Sequence, residues 1–240
     1  MFVLDSERLK IIKIERKLFS YDSYILEENL NLNNLQALNL NYYNIAEIKS
    51  NAFFDFFNLR ELILKYVKIT EIAANTFAGL ENLEELIISY GQLTTLNKNS
   101  FGNLNNLKRL DLGNNQIEYI DPEALRNLVN LQILHLDANQ IEVLIDDLFK
   151  DLSNLQKLNL NKNHIRQINS GAFSGLNNLN ELYLIGNQIA EINFDAFKNL
   201  TNLKELNLRS NQIEEEMNER NSFRNFLEKV TNGNVEITFE

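Results

Sequence analysis

A leucine pattern that recurs every 24 residues constrains the fold of this 240-residue chain more than any other feature. Seven units follow one another in register without insertions, and an eighth, partial unit follows them. Each unit shows the pattern LxxLxLxxNxIxxI or a variant of it, with two further apolar positions. The units begin at Leu35, Leu59, Leu83, Leu107, Leu131, Leu155, Leu179 and Leu203. A repeat of this length predicts a solenoid, in which each unit forms one coil stacked on the next.

The apolar positions predict which parts of each coil are buried. The alternation in LxL predicts a short strand with one buried face, and the later apolar residues fold the return segment over the same interior. One coil cannot bury its apolar face alone, whereas stacked parallel coils do so and also pair their backbones. Eight strands at about 4.8 Å spacing predict an inner sheet roughly 35–40 Å long.

An asparagine follows the strand in each later unit, at the point where the chain turns. An amide side chain donates and accepts at once. Stacked asparagines can therefore form hydrogen bonds with the backbone groups that the turn leaves without partners in the interior. They are Asn115, Asn139, Asn163, Asn187 and Asn211. The first three units instead have Tyr43, Val67 and Gly91 at this position, which predicts an altered turn there.

These units resemble leucine-rich repeats of the 24-residue typical class, which have a late Phe and Leu, here for example Phe77 and Leu80. The resemblance extends from Leu35 to about Ile213. It implies an α/β solenoid, a leucine-rich-repeat horseshoe with a parallel inner β-sheet and about eight regular coils. In that family the concave face of the sheet usually binds a protein. The N-terminal segment is also similar to secreted insect leucine-rich-repeat proteins, including immune ones.

Both ends of the chain depart from the repeat and are predicted to cap the solenoid, because terminal coils would otherwise expose core and unpaired strand edges. We expect a single structural domain, with an N-terminal cap and degenerate repeat at 1–34, leucine-rich repeats at 35–216 and a C-terminal cap at 217–240. The degenerate coil is predicted from Leu9, Ile12 and Ile14.

The C-terminal segment predicts a helix followed by a strand. Helical spacing relates Phe223 to Leu227, Ser222 is a candidate N-cap, and Gly233 lies just past the predicted end. Alternation at Val235, Ile237 and Phe239 then predicts a final strand. The helix either covers the last coil or is an amphipathic helix that binds a partner.

Composition disfavours several classes of function. A net charge of −10 opposes nucleic acids and anionic membranes, because affinity for phosphate comes mostly from Lys and Arg. The absence of cysteine removes disulfides, thiolate metal sites and cysteine nucleophiles. No stretch is long enough to insert into a membrane, and the N-terminus has no signal-peptide pattern. Localisation stays open, since the repeat class favours secretion and the missing leader and cysteines favour the cytosol.

Catalysis requires a nucleophile, a base or a metal gathered at one place, and the sequence predicts none. Of the two histidines, His135 is predicted on the concave side of the fifth unit, whereas His164 is predicted in a turn. Carboxylates are numerous, but none lies in a recognisable motif. We therefore expect no enzyme activity, no cofactor and no metal.

Outward-facing strand positions are the candidate binding residues. Tyr42, Tyr66 and Tyr90 recur at the seventh position after the leading leucine, beside Ile63 and Ile87 at the fourth. Tyrosines and exposed apolar residues are typical of protein contact sites. Either the tyrosines compensate for the missing asparagine, or they display an aromatic strip to a ligand, and the two interpretations are compatible. The predicted ligand-binding residues are Tyr42, Tyr66, Tyr90, Ile63, Ile87, Asn39, Lys65, Ile133, His135 and Tyr183.

The sequence thus predicts a non-enzymatic protein-binding module whose partner is a protein ligand, with secreted or receptor-type, immune-like recognition as its role. A cytosolic microbial effector or scaffold that uses the same face is the alternative. The oligomeric state is left open.

Overall fold

The computed structural model describes residues 34–213 and 217–239, and within them each repeat unit forms one coil of a solenoid. The N-terminal cap and degenerate coil predicted for 1–34 lie outside the described residues, apart from Asn34. No helix in the described part of the chain is long and apolar enough to cross a membrane.

Parallel strands, one from each coil and one from the C-terminal segment, form the inner sheet. In spatial order they are β1 (Ala37–Asn39), β2 (Glu61–Ile63), β3 (Glu85–Ile87), β5 (Arg109–Asp111), β7 (Ile133–His135), β8 (Lys157–Asn159), β10 (Glu181–Tyr183), β12 (Glu205–Asn207) and β13 (Glu236–Thr238). Neighbouring repeat strands pair with a constant offset of 24 residues, so that Leu38, Leu62 and Leu86 lie side by side. The predicted solenoid with a parallel inner sheet is confirmed.

The core lies between the inner sheet and the return segments. The central leucine of each repeat strand is buried, as is the late pair Phe77 and Leu80. Phe53, Phe77 and Phe101 stack on one another with ring centroids 6.1 Å apart. On the return side, β4 (Thr95–Leu96) pairs with β6 (Tyr119–Ile120), and β9 (Gln167–Ile168) pairs with β11 (Glu191–Ile192). Each coil therefore buries both of its sides against its neighbours.

The predicted asparagine ladder forms in the later coils. The Asn139 Nδ2 donates to the carbonyls of Leu112 and Leu136, at 3.0 Å each, while its Oδ1 accepts from the Ile117 N–H at 3.0 Å. Asn115, Asn163, Asn187 and Asn211 repeat this geometry. The ladder links each coil to the one before it through groups that water cannot reach.

A second asparagine ladder, which the sequence analysis missed, runs along the solvent-facing edge. In each case the asparagine directly precedes a leading leucine, and its Nδ2 donates at 2.8 Å to the carbonyl of the residue 25 positions earlier. Its members are Asn82, Asn106, Asn130, Asn154, Asn178 and Asn202. The Asn-Leu pair that recurs in the sequence could have predicted this second ladder. Two rows of amide side chains therefore join the coils, one buried and one exposed.

The C-terminal segment folds onto the last coil. The helix α1 (Met217–Val230) begins before Ser222, so the N-cap prediction for Ser222 was wrong. Apolar spacing begins at Phe223, whereas the preceding helical residues are polar apart from Met217 and give no apolar signal. After the helix, the Gly233 N–H donates to the Glu228 carbonyl at 2.7 Å with φ +77°, as expected of a helix stop.

The apolar side of α1 is buried against the solenoid. Phe223 packs on Phe194 and Phe197, each with ring centroids 5.0 Å apart, and Leu227 is fully buried. Strand β13 pairs in parallel with β12. These contacts agree with the covering role predicted for this segment, because they leave the buried aromatic side chain unavailable to a partner.

Candidate ligand-binding face

The solvent-facing side of the inner sheet, called here the concave face, is the candidate site. In the repeat strands the central leucine points into the core, and its neighbours lie on the concave face. The seventh position after the leading leucine follows each strand, where the chain turns away. Its side chain therefore lies at the edge of the concave face.

The seventh position is left-handed in all eight coils. The φ values lie between 52° and 68°, at Tyr42, Tyr66, Tyr90, Asn114, Ala138, Lys162, Gly186 and Ser210. The N–H of Tyr66 donates to the Ser89 carbonyl at 3.1 Å, and that of Asn114 donates to the Asp137 carbonyl at 2.8 Å. The backbone hydrogen bond from this position to the next coil therefore forms both in the first three coils and in the fourth coil, where the asparagine ladder begins. The first three coils share this turn, although a different turn was expected there.

Tyrosine is an unfavourable residue for this backbone conformation. A left-handed residue with a Cβ costs roughly 1–2 kcal/mol, and Gly, Asn and Asp are the residues that tolerate it best. Asn114 and Gly186 fit that preference, whereas the three tyrosines do not, and neither do the remaining residues at this position, Ala138, Lys162 and Ser210. The turn itself therefore does not account for the three tyrosines.

These three residues, the tyrosine strip, stack on one another across consecutive coils. The ring centroids of Tyr42 and Tyr66 are 4.5 Å apart with planes inclined by 7°, and those of Tyr66 and Tyr90 are 4.9 Å and 21°. Stacking contributes about 0.5–1.5 kcal/mol per pair, which is comparable with the backbone strain. The strip stays exposed, at 74% for Tyr42, 43% for Tyr66 and 47% for Tyr90.

The tyrosines do not take over the hydrogen bonds of the missing asparagines. Among the described residues, no hydrogen bond joins the hydroxyls of Tyr42, Tyr66 or Tyr90 to the backbone of the turn. The ladder position is filled instead by the half-buried Tyr43 and the buried Val67. The strip therefore does not replace the ladder asparagines by hydrogen bonding.

The hydroxyl of Tyr66 stays protonated at neutral pH. Partial desolvation raises the pKa of Tyr66 above its ordinary value, and the electrostatic influence of Tyr42, a side-chain hydrogen bond with Tyr42 and the influence of Tyr90 raise it further. A neutral phenol donates a hydrogen bond as well as accepting one. The phenol in the middle of the strip can therefore take part in hydrogen bonds in either role.

The two isoleucines beside the strip differ in exposure. Ile63 is half-buried, whereas Ile87 is only 7% exposed, so the prediction that Ile87 is exposed was wrong. Ile87 lies in register between Ile63 and Asp111 on the flanking strands. Side chains at matching positions on strands about 4.8 Å apart cover one another, which explains its burial.

Asn39 and Lys65 lie on the same part of the concave face. The Oδ1 of Asn39 accepts from the Asn41 N–H at 3.0 Å, and the Oδ1 of Asn41 accepts from the Lys65 N–H at 2.7 Å. Ser89, which the sequence analysis did not single out, lies between Ile87 and Tyr90. Its hydroxyl is buried and has no hydrogen-bond partner among the described residues.

The remaining predicted contact residues lie in later coils, apart from the strip. The Tyr183 hydroxyl is 2.7 Å from the Glu205 Oε2 and 3.0 Å from the Glu181 Oε2, and Lys157 binds Glu181 at 2.6 Å. Burial, followed by its hydrogen bonds to these carboxylates, raises the pKa of Tyr183 strongly. The hydroxyl of Tyr183 is therefore already engaged by its neighbours.

Ile133 and His135 lie on β7, both half-buried. The His135 Nδ1 is 3.6 Å from the Asp137 Oδ1 and 3.4 Å from the Asn159 Nδ2, while His164 is exposed beyond the ladder residue Asn163. The two histidines do not meet. Across residues 34–213 and 217–239 no group of His, Asp or Glu could hold a metal ion.

Comparison with known families places the repeat among leucine-rich repeats. One leucine-rich-repeat family model matches residues 33–93, 81–141 and 129–189, and a second matches residues 202–226. No curated protein matches the chain.

Solved structures with this fold include proteins of different kinds. A leucine-rich-repeat protein of Leptospira interrogans is 30% identical over 85% of this chain, with a TM-score of 0.70. The TLR13–ssRNA13 complex is 28% identical over 86%, with a TM-score of 0.72. The octameric complex of Latrophilin 3, Unc5D and FLRT2 (LRR) is 22% identical over 80%, with a TM-score of 0.69, and shows the fold alone. The chain spans 49%, 29% and 57% of these three chains, respectively.

Proposed function

Because the chain belongs to the leucine-rich-repeat family, we propose that it is a non-enzymatic module that binds a protein ligand through the first three coils of its concave face. The tyrosine strip, with Ile63, Asn39 and Lys65 beside it, forms the centre of the contact. The later coils, which carry Ile133, His135 and Tyr183, form the periphery of the contact.

One observation carries this proposal. Tyr42, Tyr66 and Tyr90 all adopt a left-handed conformation that disfavours tyrosine, yet their rings remain exposed, and among the described residues their hydroxyls make no hydrogen bond to the backbone of the turn. Stacked tyrosines present rigid ring edges at a low cost in side-chain entropy, and tyrosine is enriched where binding energy concentrates. A strained and exposed aromatic row is thus better explained by binding than by stability.

As the role of this module we propose secreted or receptor-type recognition of the immune kind. Support comes from the similarity to the TLR13 complex. The similarity to a protein of the bacterium Leptospira interrogans supports the second candidate, a microbial effector or scaffold that uses the same face. Detection of the protein in the medium or inside the cells of its native source distinguishes the two roles.

The proposal is tested by affinity capture of proteins from the native source, with the wild-type chain and Tyr66→Asn as baits. Asparagine keeps the left-handed turn, as Asn114 shows in the fourth coil, and removes only the ring. We expect the variant to lose the proteins that the wild type captures, while Lys162→Asn, at the same position in the sixth coil, retains them. Equal capture by wild type and Tyr66→Asn would contradict the proposal.

A further inference from the structure

The backbone acceptors around the tyrosine strip are already used within the protein. The Lys65 carbonyl accepts from the Tyr42 N–H at 2.9 Å, and the Ser89 carbonyl accepts from the Tyr66 N–H at 3.1 Å. The Gly113 carbonyl accepts from the Tyr90 N–H at 3.1 Å. Each of these three carbonyls therefore has one of its two lone pairs engaged within the solenoid.

The nearby amide side chains also use their acceptor atoms within the protein. The Oδ1 atoms of Asn39 and Asn41 each accept a backbone N–H, at 3.0 and 2.7 Å. No hydrogen bond within the described residues uses their Nδ2 groups, which are donors. The amides thus turn their accepting ends toward the protein and keep their donating ends for other partners.

The remaining polar groups of this patch are donors as well. Lys65 is half-buried and takes part in no ion pair within residues 34–213 and 217–239, and its ammonium group donates only. The phenol hydroxyls of the strip can donate, whereas the hydroxyl of Ser89 is buried and lies out of a ligand's reach. After internal pairing, the patch formed by the tyrosine strip, Asn39, Asn41 and Lys65 has an excess of hydrogen-bond donors around one positive charge that forms no ion pair with the described residues. We call it the donor patch.

Acidic groups bound the donor patch on two sides. On the side of the fourth coil, Asp111 lies in register beside Ile87. Glu61 and Glu85 each lie two residues before Ile63 and Ile87 on the same strands, and Glu85 is paired with the Arg109 Nε at 3.0 Å. Lys65 lies beyond Ile63 in the opposite direction along the chain. A negative group of a ligand is therefore favoured at Lys65 and disfavoured toward Glu61.

The net charge of −10 separates two kinds of acidic partner. A nucleic acid brings one phosphate per nucleotide and would meet repulsion along its whole length, with little Lys and Arg to offset it. A single carboxylate on a peptide meets the attraction of Lys65 at contact, whereas the distant charges of the protein are screened beyond about 8–10 Å. The charges thus favour a peptide with a local acidic residue over a polyanion.

We propose that the protein ligand is recognised through a segment with an Asp or Glu side chain that binds Lys65, next to backbone carbonyls that accept from the tyrosine strip. The inference rests on the proposed function and specifies the chemistry of its ligand. A hydrogen bond between the Lys65 ammonium group and a carboxylate is expected to change the affinity for the ligand roughly tenfold or more.

A phage-displayed library of random dodecapeptides tests this chemistry without knowledge of the natural ligand. Clones are selected on the wild-type chain and counted only if Tyr66→Asn fails to bind them, which restricts the set to the donor patch. Representative peptides are then measured against Lys65→Glu and, as a control, Lys162→Glu, the same charge reversal in the sixth coil. Thermal unfolding of each variant verifies that the fold is kept.

We expect the Tyr66-dependent peptides to be enriched in Asp and Glu relative to the unselected library. Lys65→Glu should weaken them about tenfold or more, while Lys162→Glu leaves them within a factor of about three. Tyr66-dependent peptides without acidic enrichment, or with equal affinity for Lys65→Glu, would overturn this inference and leave the proposed function standing. A lack of any Tyr66-dependent peptide would count against the proposed function itself. Lys65-dependent binding of a single-stranded RNA oligonucleotide would overturn the choice of a peptide.

Discussion

The rings of Tyr42 and Tyr66 lie face to face, 4.5 Å apart and inclined by 7°, although both residues adopt a left-handed backbone conformation. The 24-residue repeat places the two side chains one strand apart at the same turn, which makes this stacking possible. Stacking and strain are of similar size and opposite sign. The arrangement therefore adds little to stability while it fixes the position of two exposed rings.

Replacement of Tyr66 by asparagine separates these contributions. Tyr66→Asn removes two stacking contacts and relieves the unfavourable backbone conformation, so we expect the free energy of unfolding to change by less than about 1.5 kcal/mol. Urea denaturation measures it. Tyr66→Ala loses the same contacts with less relief and should be the less stable variant. A loss above about 3 kcal/mol for Tyr66→Asn would mean that the strip is structural.

The buried and exposed asparagine ladders should differ in their contribution to stability. Asn139→Ala leaves the buried N–H of Ile117 without its partner and removes one donor from the carbonyls of Leu112 and Leu136, which keep their bonds from Asn115 and Asn163. We expect a loss of about 2–4 kcal/mol, because the buried unsatisfied N–H costs about 1–3 kcal/mol and each lost bond about 1 kcal/mol.

The matched control is Asn106→Ala in the exposed ladder, where water can replace the single bond to the Glu81 carbonyl. It should cost about 1 kcal/mol or less. Chemical denaturation of the two variants under the same conditions gives the comparison. Similar losses for both would show that water reaches the inner ladder.

Sequence periodicity was sufficient for the parallel sheet, the buried leucines and the inner ladder, because each follows from one geometry repeated at a fixed spacing. It did not predict that Tyr66 is left-handed, since tyrosine has no preference for that conformation. Nor did it predict the burial of Ile87, which depends on the side chains of both flanking strands.

The chemistry of the donor patch also lay outside the reach of the pattern. Which end of Asn41 faces the protein is decided by its bond to the Lys65 N–H in the next coil. Ser89, beside the patch, occupies an ordinary outward position, and its burial without a partner appears only in three dimensions. The repeat predicted where each of these side chains lies along its coil. The direction in which its polar groups point depends on contacts with the neighbouring coil, which the repeat does not give.

Two left-handed glycines test how closely adjacent coils approach. At Gly175, φ is +90° and an added Cβ would overlap the backbone of Lys150, whereas at Gly233, φ is +77° and nothing lies within 4 Å of an added Cβ. Both alanine variants incur the left-handed cost of roughly 1–2 kcal/mol. Gly175→Ala must in addition displace the preceding coil, so its thermal midpoint should fall well below that of Gly233→Ala. Equal midpoints would mean that the coils separate freely there.

Acid should weaken the contacts of Glu181 with its neighbours. A hydrogen bond from Lys157, opposed in part by desolvation and helped by Tyr183, lowers the pKa of Glu181 below its ordinary value. A carboxyl with a lowered pKa stabilises the fold above its unfolded pKa, near 4.5, and loses this contribution as the pH falls through the folded value. NMR titration should show the pKa of Glu181 rising in Lys157→Met, with a smaller decrease in stability between neutral and acidic pH. Lys162→Met, which lacks this contact, is the control, and an unchanged Glu181 titration in Lys157→Met would contradict the assignment.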